Sequence, residues 1–459
     1  MEETIGKVLY ILPHQLFDPE DLRPVLQRLK KPRVVLWEHR DFFTKFRFNK
    51  KKLVLHRASM RYSHDKVLLP LLSEFKKGHC EYVEVRRKGH RVPKGAVCFD
   101  PINRVYALKG ARTIETPNFL LTKDQYSALM KKNGHFKTKN LNFTRHFYAF
   151  CKQQLKYMQD VPSQDRENRG AMKDGVAVPP LPSPADRSER KYVEEAVAYV
   201  NRHFPKNYGT TEGFAYPVSR ARALVWLDDF MKKRLNGFGT YQDAIRDDDA
   251  HNVMFHSVLS SSINIGLLHP LEVKRSLERH ASGAGLNDVE GFFRQLCWRE
   301  YQRFCYVHFF DELKTNFYGS QKKLTKAWYD GTIGMRPVDV CVQKAFDTAY
   351  LHHIERLMVV GNFMVLSEIR PTDAHRWFME FAIDSYEWVM LQNVYDMLYF
   401  GSGGRTAYKP YISSSSYVLK MSNYRRSEDW VPRWSQMYKD FILKHKERLH
   451  KYRYHFPYI

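Results

Sequence analysis

The pattern of this chain changes once, near residue 159, and that change limits the folds open to it. Before it, short β-branched runs alternate with helical stretches: "KVLYIL" (7–12), "RVVLWEH" (33–39) and "CEYVEV" (80–85) read as strands. Between the first two lies "DPEDLRPVLQRLKK", apolar at helical spacing with acidic residues at its head, as a helix start requires. A longer helical stretch, "ASMRYSHDKVLLPLLSEFKKG", ends at Gly78. Buried strands alternating with helices imply a doubly wound parallel sheet, which binds ligands at the carboxyl ends of its strands. Glu38, closing the second strand, is a candidate contact there. The chain has neither G-x-G-x-x-G nor a P-loop sequence, so nothing points to a dinucleotide or a nucleoside triphosphate.

The stretch "QDVPSQDRENRGAMKDGVAVPPLPSPADRSER" begins at Gln159, is polar and rich in Pro and Gly, and reads as a connector. From about residue 190 onward the pattern is helical and dense in Trp, Tyr and Phe. The expected class is therefore α/β plus all-α: a parallel-sheet domain over 1–130, a linker over 131–190, and a helical domain over 191–459.

Charge narrows the partners. The 459 residues carry 74 Lys and Arg against 50 Asp and Glu, a net +24, which favours a polyanion and nucleic acid first. Single basic runs such as "LKKPR" (29–33) and "NKKKL" (49–53) read as solvated faces. The six cysteines include no C-x-x-C pair, which argues against a disulfide scaffold or a zinc ribbon. No apolar run is long enough to span a membrane. The acidic start "MEETIGKVLYILPHQLF" lacks the basic head of a signal peptide, so an intracellular, monomeric protein is expected.

The most demanding stretch is "YLHHIERLMVVGNFMV" (350–365). His352, His353, Glu355 and Arg356 head an apolar helix, and such groups are costly to bury unless they pair or bind something. The stretch has company in "FGTYQDAI" (238–245), "FHSVLSSSINIGLLHP" (255–270), "FFRQLCWREYQRF" (292–304), "RWFMEFAIDSYEWVMLQNVYDM" (376–397) and "KPYISSSSYVLKMSNY" (409–424). In this order they resemble successive motifs of the photolyase/cryptochrome superfamily, most closely its bacterial iron–sulfur branch, the photolyase-related proteins. "ILPHQL" and "DRENRG" (165–170) resemble that branch's first strand end and its linker.

The resemblance implies an antenna-type α/β domain, a linker and a helical FAD-binding domain acting on UV-damaged DNA. It implies that Ser260 and Ser261 cradle the FAD phosphates, a task short hydroxyls at a helix start can perform. Arg299 and Arg303, one helical turn apart, would lie near the ribose and phosphates. Arg356 and Asp384 would form a buried pair beside the flavin ring, with Asn393 and Met397 along it. Gln295 and Trp298 would face the lesion, the indole offering a stacking surface to a flipped base. His352 and His353 would stand between flavin and lesion, and Tyr417 on the lesion side. Repair of a (6-4) photoproduct moves a group between bases and needs a proton donor, which histidine supplies near its ordinary pKa. The expected activity is therefore light-driven (6-4) repair from reduced FAD. A cryptochrome-like photoreceptor and a DNA-binding structural protein are the alternatives.

Three departures accompany the resemblance. Trp328 and Trp377 match the electron relay, but Phe378 stands where a tyrosine often follows. Pro337 stands at the first cluster-cysteine position and no cysteine follows Cys341, so no metal and no iron–sulfur cluster are expected. "HQLF" (14–17) departs from the family's "DQLS", which leaves open a second, ribityllumazine-type antenna chromophore.

Overall fold

The computed structural model describes every residue except 1–3, 107, 133, 135–139, 173–174, 183–186 and 248–252. The linker assignment therefore falls partly outside the described residues. The chain packs as two compact units. The first comprises Met1–Thr122, Leu181–Asp229 and Ser257–Ser276; the second comprises Lys123–Pro180, Phe230–His256 and Leu277–Ile459.

The first unit holds a five-stranded parallel sheet: β1 (Val8–Ile11), β2 (Arg33–Trp37), β3 (His79–Val83), β4 (Ala96–Phe99) and β5 (Arg112–Ile114), in the order β3-β2-β1-β4-β5. The β-branched and apolar runs are continuous because helices cover both faces of such a sheet. Every residue of β1 and β4 is buried. From β1 the chain winds outward through β2 to β3, then returns across the sheet to β4. The order thus reverses between β1 and β4, whose carboxyl ends flank the switch-point crevice. The first helix, Pro19–Gln27, starts where Asp18 accepts the backbone N–H of Glu20 at 3.0 Å.

The basic run at residues 49–53 is not a solvated face. It begins the helix Lys50–Ser63, in which Lys51 and Lys52 are buried. Their stems are apolar and their ammonium groups find partners: Lys51 donates to Thr210 O at 3.1 Å, and Lys52 lies over the Phe48 ring at 4.9 Å. This helix packs against the helix Arg187–His203 through Arg57–Glu195 and Tyr62–Tyr192.

The second unit is helical. Its longest helix, Leu286–His308, runs 23 residues with most of its surface buried. Near its start Asp288 accepts the backbone N–H groups of Gly239 and Thr240 at 2.7 and 3.2 Å. Part of the connector is strapped to the same unit: Gln164 N–H donates to Glu290 at 3.1 Å, and Gly170 N–H to Thr240 O at 3.0 Å. No helix among the described residues is long and apolar enough to cross a membrane.

Candidate functional site

Two places gather ionisable and aromatic side chains, one in each unit. In the first unit the switch-point crevice is laced by the residues that follow β1. Gln15 accepts Leu12 N–H at 3.1 Å and donates to Phe99 O at 2.9 Å. The His14 ring reaches Pro101 O at 3.2 Å and stacks on Phe42, which in turn meets Tyr106. Burial pushes His14 down to about 3, so the ring is neutral and packs as an aromatic. Glu38 is not an open ligand contact. It is fully buried and takes Arg57 at 2.9 Å, the Tyr82 hydroxyl at 2.6 Å and Val85 N–H at 2.9 Å.

The same unit carries Ser260 and Ser261, at the start of the short helix Ser260–Asn264. Ser260 is half-buried. The hydroxyls of Ser261 and Ser262 are buried without a hydrogen-bond partner among the described residues.

In the second unit the chain reverses at Ala349, whose φ of +59° ends the helix Arg336–Thr348 in a conformation unusual for a residue with a Cβ. The next turn is held by side chains. Glu355 accepts His352 N–H at 3.0 Å, in the manner of a capping box, and its other oxygen holds Lys344 at 2.6 Å. Lys344 and Glu355 are both buried, so each supplies the charge the other needs. Arg356 donates Nε to Leu351 O at 2.6 Å and its two terminal nitrogens to Asp384 at 2.9 and 3.1 Å. All five planar donors point in fixed directions, which arginine's fork geometry makes possible.

His352 is 1% exposed and stacks on His256, with ring centres 4.5 Å apart and planes 12° apart. His353, one residue on, is reached by solvent. Burial, with Arg356 adding like charge, nevertheless holds His353 down at about 4. Burial and Lys344 hold His352 well below its ordinary value. Both rings are thus neutral near pH 7, against the expectation that the pair titrates close to the ordinary histidine value.

Below this turn two segments wind more widely than an α-helix, Glu355–Gly361 and Leu391–Leu398. Such π turns are rare and concentrate at functional sites. Gly361 lets them meet: a Cβ there would lie 2.3 Å from Leu398 Cδ2 and 2.6 Å from Arg356 O. Asn393 accepts from Gln302 at 2.9 Å, and Met397 is buried. Beside Asn393 the whole side-chain amide of Gln392 is buried without a hydrogen-bond partner among the described residues, as are both ring nitrogens of His352 and Nε2 of His256. Buried polar groups are almost always hydrogen-bonded, so atoms left in this way fit a polar ligand.

The remaining predicted residues spread along Leu286–His308 and beyond. Arg299 is half-buried, 5.1 Å from the Trp388 ring, and burial pushes it down to about 10. Arg303 is fully buried over Tyr126, whose hydroxyl donates to Glu300 at 2.9 Å. Gln295 is half-buried; Trp298, also half-buried, packs against Phe143 and Tyr301 at 4.5 and 5.2 Å. Tyr417 donates to Asp243 at 3.1 Å, and burial raises that carboxyl to about 6.

Known proteins share both fold and sequence with this chain. Residues 102–216 match the family described as deoxyribodipyrimidine photo-lyase-related protein. A (6-4) photolyase of Agrobacterium fabrum is 37% identical over 298 residues, 62% of this chain and 58% of that protein. The matched part is therefore less than two thirds of that relative's length. A bacterial class III photolyase from Agrobacterium tumefaciens superposes with a TM-score of 0.54 at 16% identity, over 98% of this chain and 92% of its own. The chain thus has the photolyase/cryptochrome fold, and part of its sequence is similar to that superfamily's members. A cryptochrome of Synechocystis sp. shares the fold as well, with a TM-score of 0.57 at 13% identity over 98% of this chain and 89% of its own. The α/β sheet unit and the helical unit are those of the photolyase/cryptochrome fold.

Against that fold the departures take physical form. Trp377 is fully buried and donates Nε1–H to Trp328 O at 2.8 Å. Phe378 and Phe381 press on its ring at 5.1 and 4.6 Å. Pro337 sits in the first turn of the helix Arg336–Thr348, with Cys341 one turn on and buried. Trp430 and Trp434 pack edge to face at 5.8 Å.

Sequence reasoning missed His256, Gln392, Lys344 and Asp243. Each stands inside or near a quoted motif, but its partner is remote in sequence. The signal available was the cost of Glu355: a buried carboxylate has to have a cation, and Lys344 reaches it.

Proposed function

We propose that the protein is a light-driven photolyase that holds FAD and repairs (6-4) pyrimidine photoproducts in DNA. One observation carries the reading: a single turn of chain bears both the exposed His353 and the Arg356–Asp384 pair. The polar atoms of Gln392, His352 and His256 that lack a hydrogen-bond partner among the described residues supply the fit for a large polar cofactor. Arg356, Asp384, Gln392, Asn393 and Met397 are the residues that would hold its ring system, and Arg299 and Arg303 would serve its anionic part. The phosphate roles of Ser260 and Ser261 rest on sequence and belong to the same proposal.

FAD, when bound, supplies the light-driven electron. The protein's own part is positioning and proton control. Asp384 and Leu351 O fix the Arg356 guanidinium, so a constant positive charge acts on His353. His353 holds or gives a proton at a ring nitrogen. Its low pKa keeps it neutral until an anion arrives; a DNA phosphate beside it raises its proton affinity. Lesion binding thereby creates the donor where it is used. His352 stands behind, stacked on His256 and anchored through Glu355, and orients the pair. Tyr417, tied to Asp243, offers a hydroxyl on the lesion side. Trp298 and Gln295 line the approach. The net charge of +24 draws the phosphodiester backbone.

A ribityllumazine fits the switch-point crevice poorly, because His14 and Gln15 bond to the backbone there and Glu38 is taken by Arg57. We assign no second chromophore and, without the cysteines, no iron–sulfur cluster. Monomeric state, intracellular location and the 1–130, 131–190 and 191–459 division are parts of the same proposal. The test is blue-light repair of an oligonucleotide bearing one (6-4) photoproduct. Repair supports the reading; a flavin-loaded, photoreducible protein that leaves the lesion intact refutes it in favour of a photoreceptor.

A further inference from the structure

Trp377 is enclosed by rings that do not readily lose an electron. Phe346, Phe378 and Phe381 surround it at 5.8, 5.1 and 4.6 Å. On its other side its indole N–H bonds to Trp328 O. The Trp328 ring meets Phe363 at 5.9 Å, and Phe363 meets Trp434 at 5.1 Å. From Trp434 the rings continue to Trp430 at 5.8 Å, and from Trp430 to Tyr424 at 5.6 Å. A single phenyl ring thus separates Trp328 from two indoles and a phenol in contact with one another.

The end of this chain is equipped to release protons. Trp430 donates its indole N–H to Glu428 at 3.1 Å. Tyr424 lies under Arg336, whose guanidinium bridges Asp247 and Glu428 at 2.6 and 3.2 Å. Glu428 is partly exposed, and residues 425–427 beside Tyr424 are exposed. Burial, with Cys341 and Asp247 nearby, keeps the Tyr424 phenol protonated, so losing an electron means losing a proton too.

We propose that Trp434, Trp430 and Tyr424 form the outer limb of the electron relay, taking the place of the tyrosine that Phe378 replaces. This rests on the reading that the protein binds a light-excited flavin, which is the oxidant. One electron passes to the flavin from the Trp328–Trp377 pair, leaving Trp328 oxidised. Trp434 refills Trp328 across Phe363, Trp430 refills Trp434, and Tyr424 refills Trp430. Tyr424 gives up its phenolic proton to water beside the Asp247 carboxylate. A soluble thiol returns one electron and one proton to it and becomes a thiyl radical, so the net change is one electron moved from thiol to flavin and the proton released to water.

The experiment irradiates the purified flavoprotein with dithiothreitol present and without it. Frozen samples are read by electron paramagnetic resonance after labelling with ring-deuterated tyrosine, beside the rate of flavin bleaching. The wild type is expected to give a radical whose spectrum narrows with the label. Tyr424→Phe, which removes one oxygen and keeps the ring, is expected to lose that signal. Trp434→Phe is expected to lose it and to slow bleaching as well. Wild-type radical and bleaching in both variants would overturn the proposal and leave the flavin reading intact. Unchanged bleaching in Trp328→Phe would instead sink the relay itself, and a protein that purifies without flavin would sink the reading on which both depend.

Discussion

The carboxyl end of the sheet and the turn at His353 use similar residues and answer burial in opposite ways. At the sheet, Glu38 is met by Arg57, Tyr82 and Val85, and Gln15 by two backbone groups. At the turn, Arg356 and Asp384 satisfy each other, yet buried polar atoms of Gln392, His352 and His256 have no hydrogen-bond partner among the described residues. A fold can bury polar groups either by closing a network or by leaving atoms for a ligand. The first makes a crevice into core; the second keeps a site. The comparison teaches that the position of a ligand crevice in a doubly wound sheet does not establish use, and that the satisfaction of its polar atoms is the better guide.

The sharpest way to break the comparison is to remove one partner at the site. Arg356→Met leaves Asp384 buried without its cation, a loss of about 3–5 kcal/mol in stability. Chemical denaturation should show that loss together with loss of bound flavin. His353→Ala is expected to leave flavin in place and slow (6-4) repair by about 10²–10⁴-fold, the usual range for a general acid. Equal repair by that variant would place the donor elsewhere. Glu38→Gln tests the other half. It keeps most hydrogen bonds but removes a charge, so stability should fall by about 1–3 kcal/mol with flavin content unchanged. A change in chromophore content would mean that the crevice is a site after all.

The smallest expected effect is one of pH. His352, His353 and His256 all have pKa values below the ordinary 6.5, His353 at about 4. Between these values the unfolded chain binds protons that the folded one refuses, so stability is lost as pH falls from 6.5 toward 4. Asp243, raised to about 6, works in the opposite sense, since the folded chain takes up its proton first. Thermal melts of flavin-free protein should therefore fall across this window, and His352→Gln should make the fall shallower. A melt temperature independent of pH would contradict the assignment of neutral histidines.

Much of this was legible from local pattern. β1, β2 and β3 read as strands because parallel strands buried on both faces are continuous apolar runs. β4 and β5 are only "AVCF" and "RTI", too short to stand out from loops. The basic run at Lys50–Lys52 read as surface because charge was counted without the long apolar stems that let Lys51 and Lys52 be buried. At the site, the positions of Arg356 and Asp384 came from family resemblance, whereas their mutual geometry needed the fold. Lys344 and His256 escaped because neither shares a helix turn with the residue it touches, and helical spacing speaks only of neighbours along one element.

The central claim is that one place keeps a cofactor site and the other has closed into core. Extracting and quantifying the chromophores of the purified protein tests it most directly. We predict one FAD per chain in the wild type, none in Arg356→Met, and no second chromophore in either. A second chromophore in both proteins, or a wild type that carries no flavin, would contradict it.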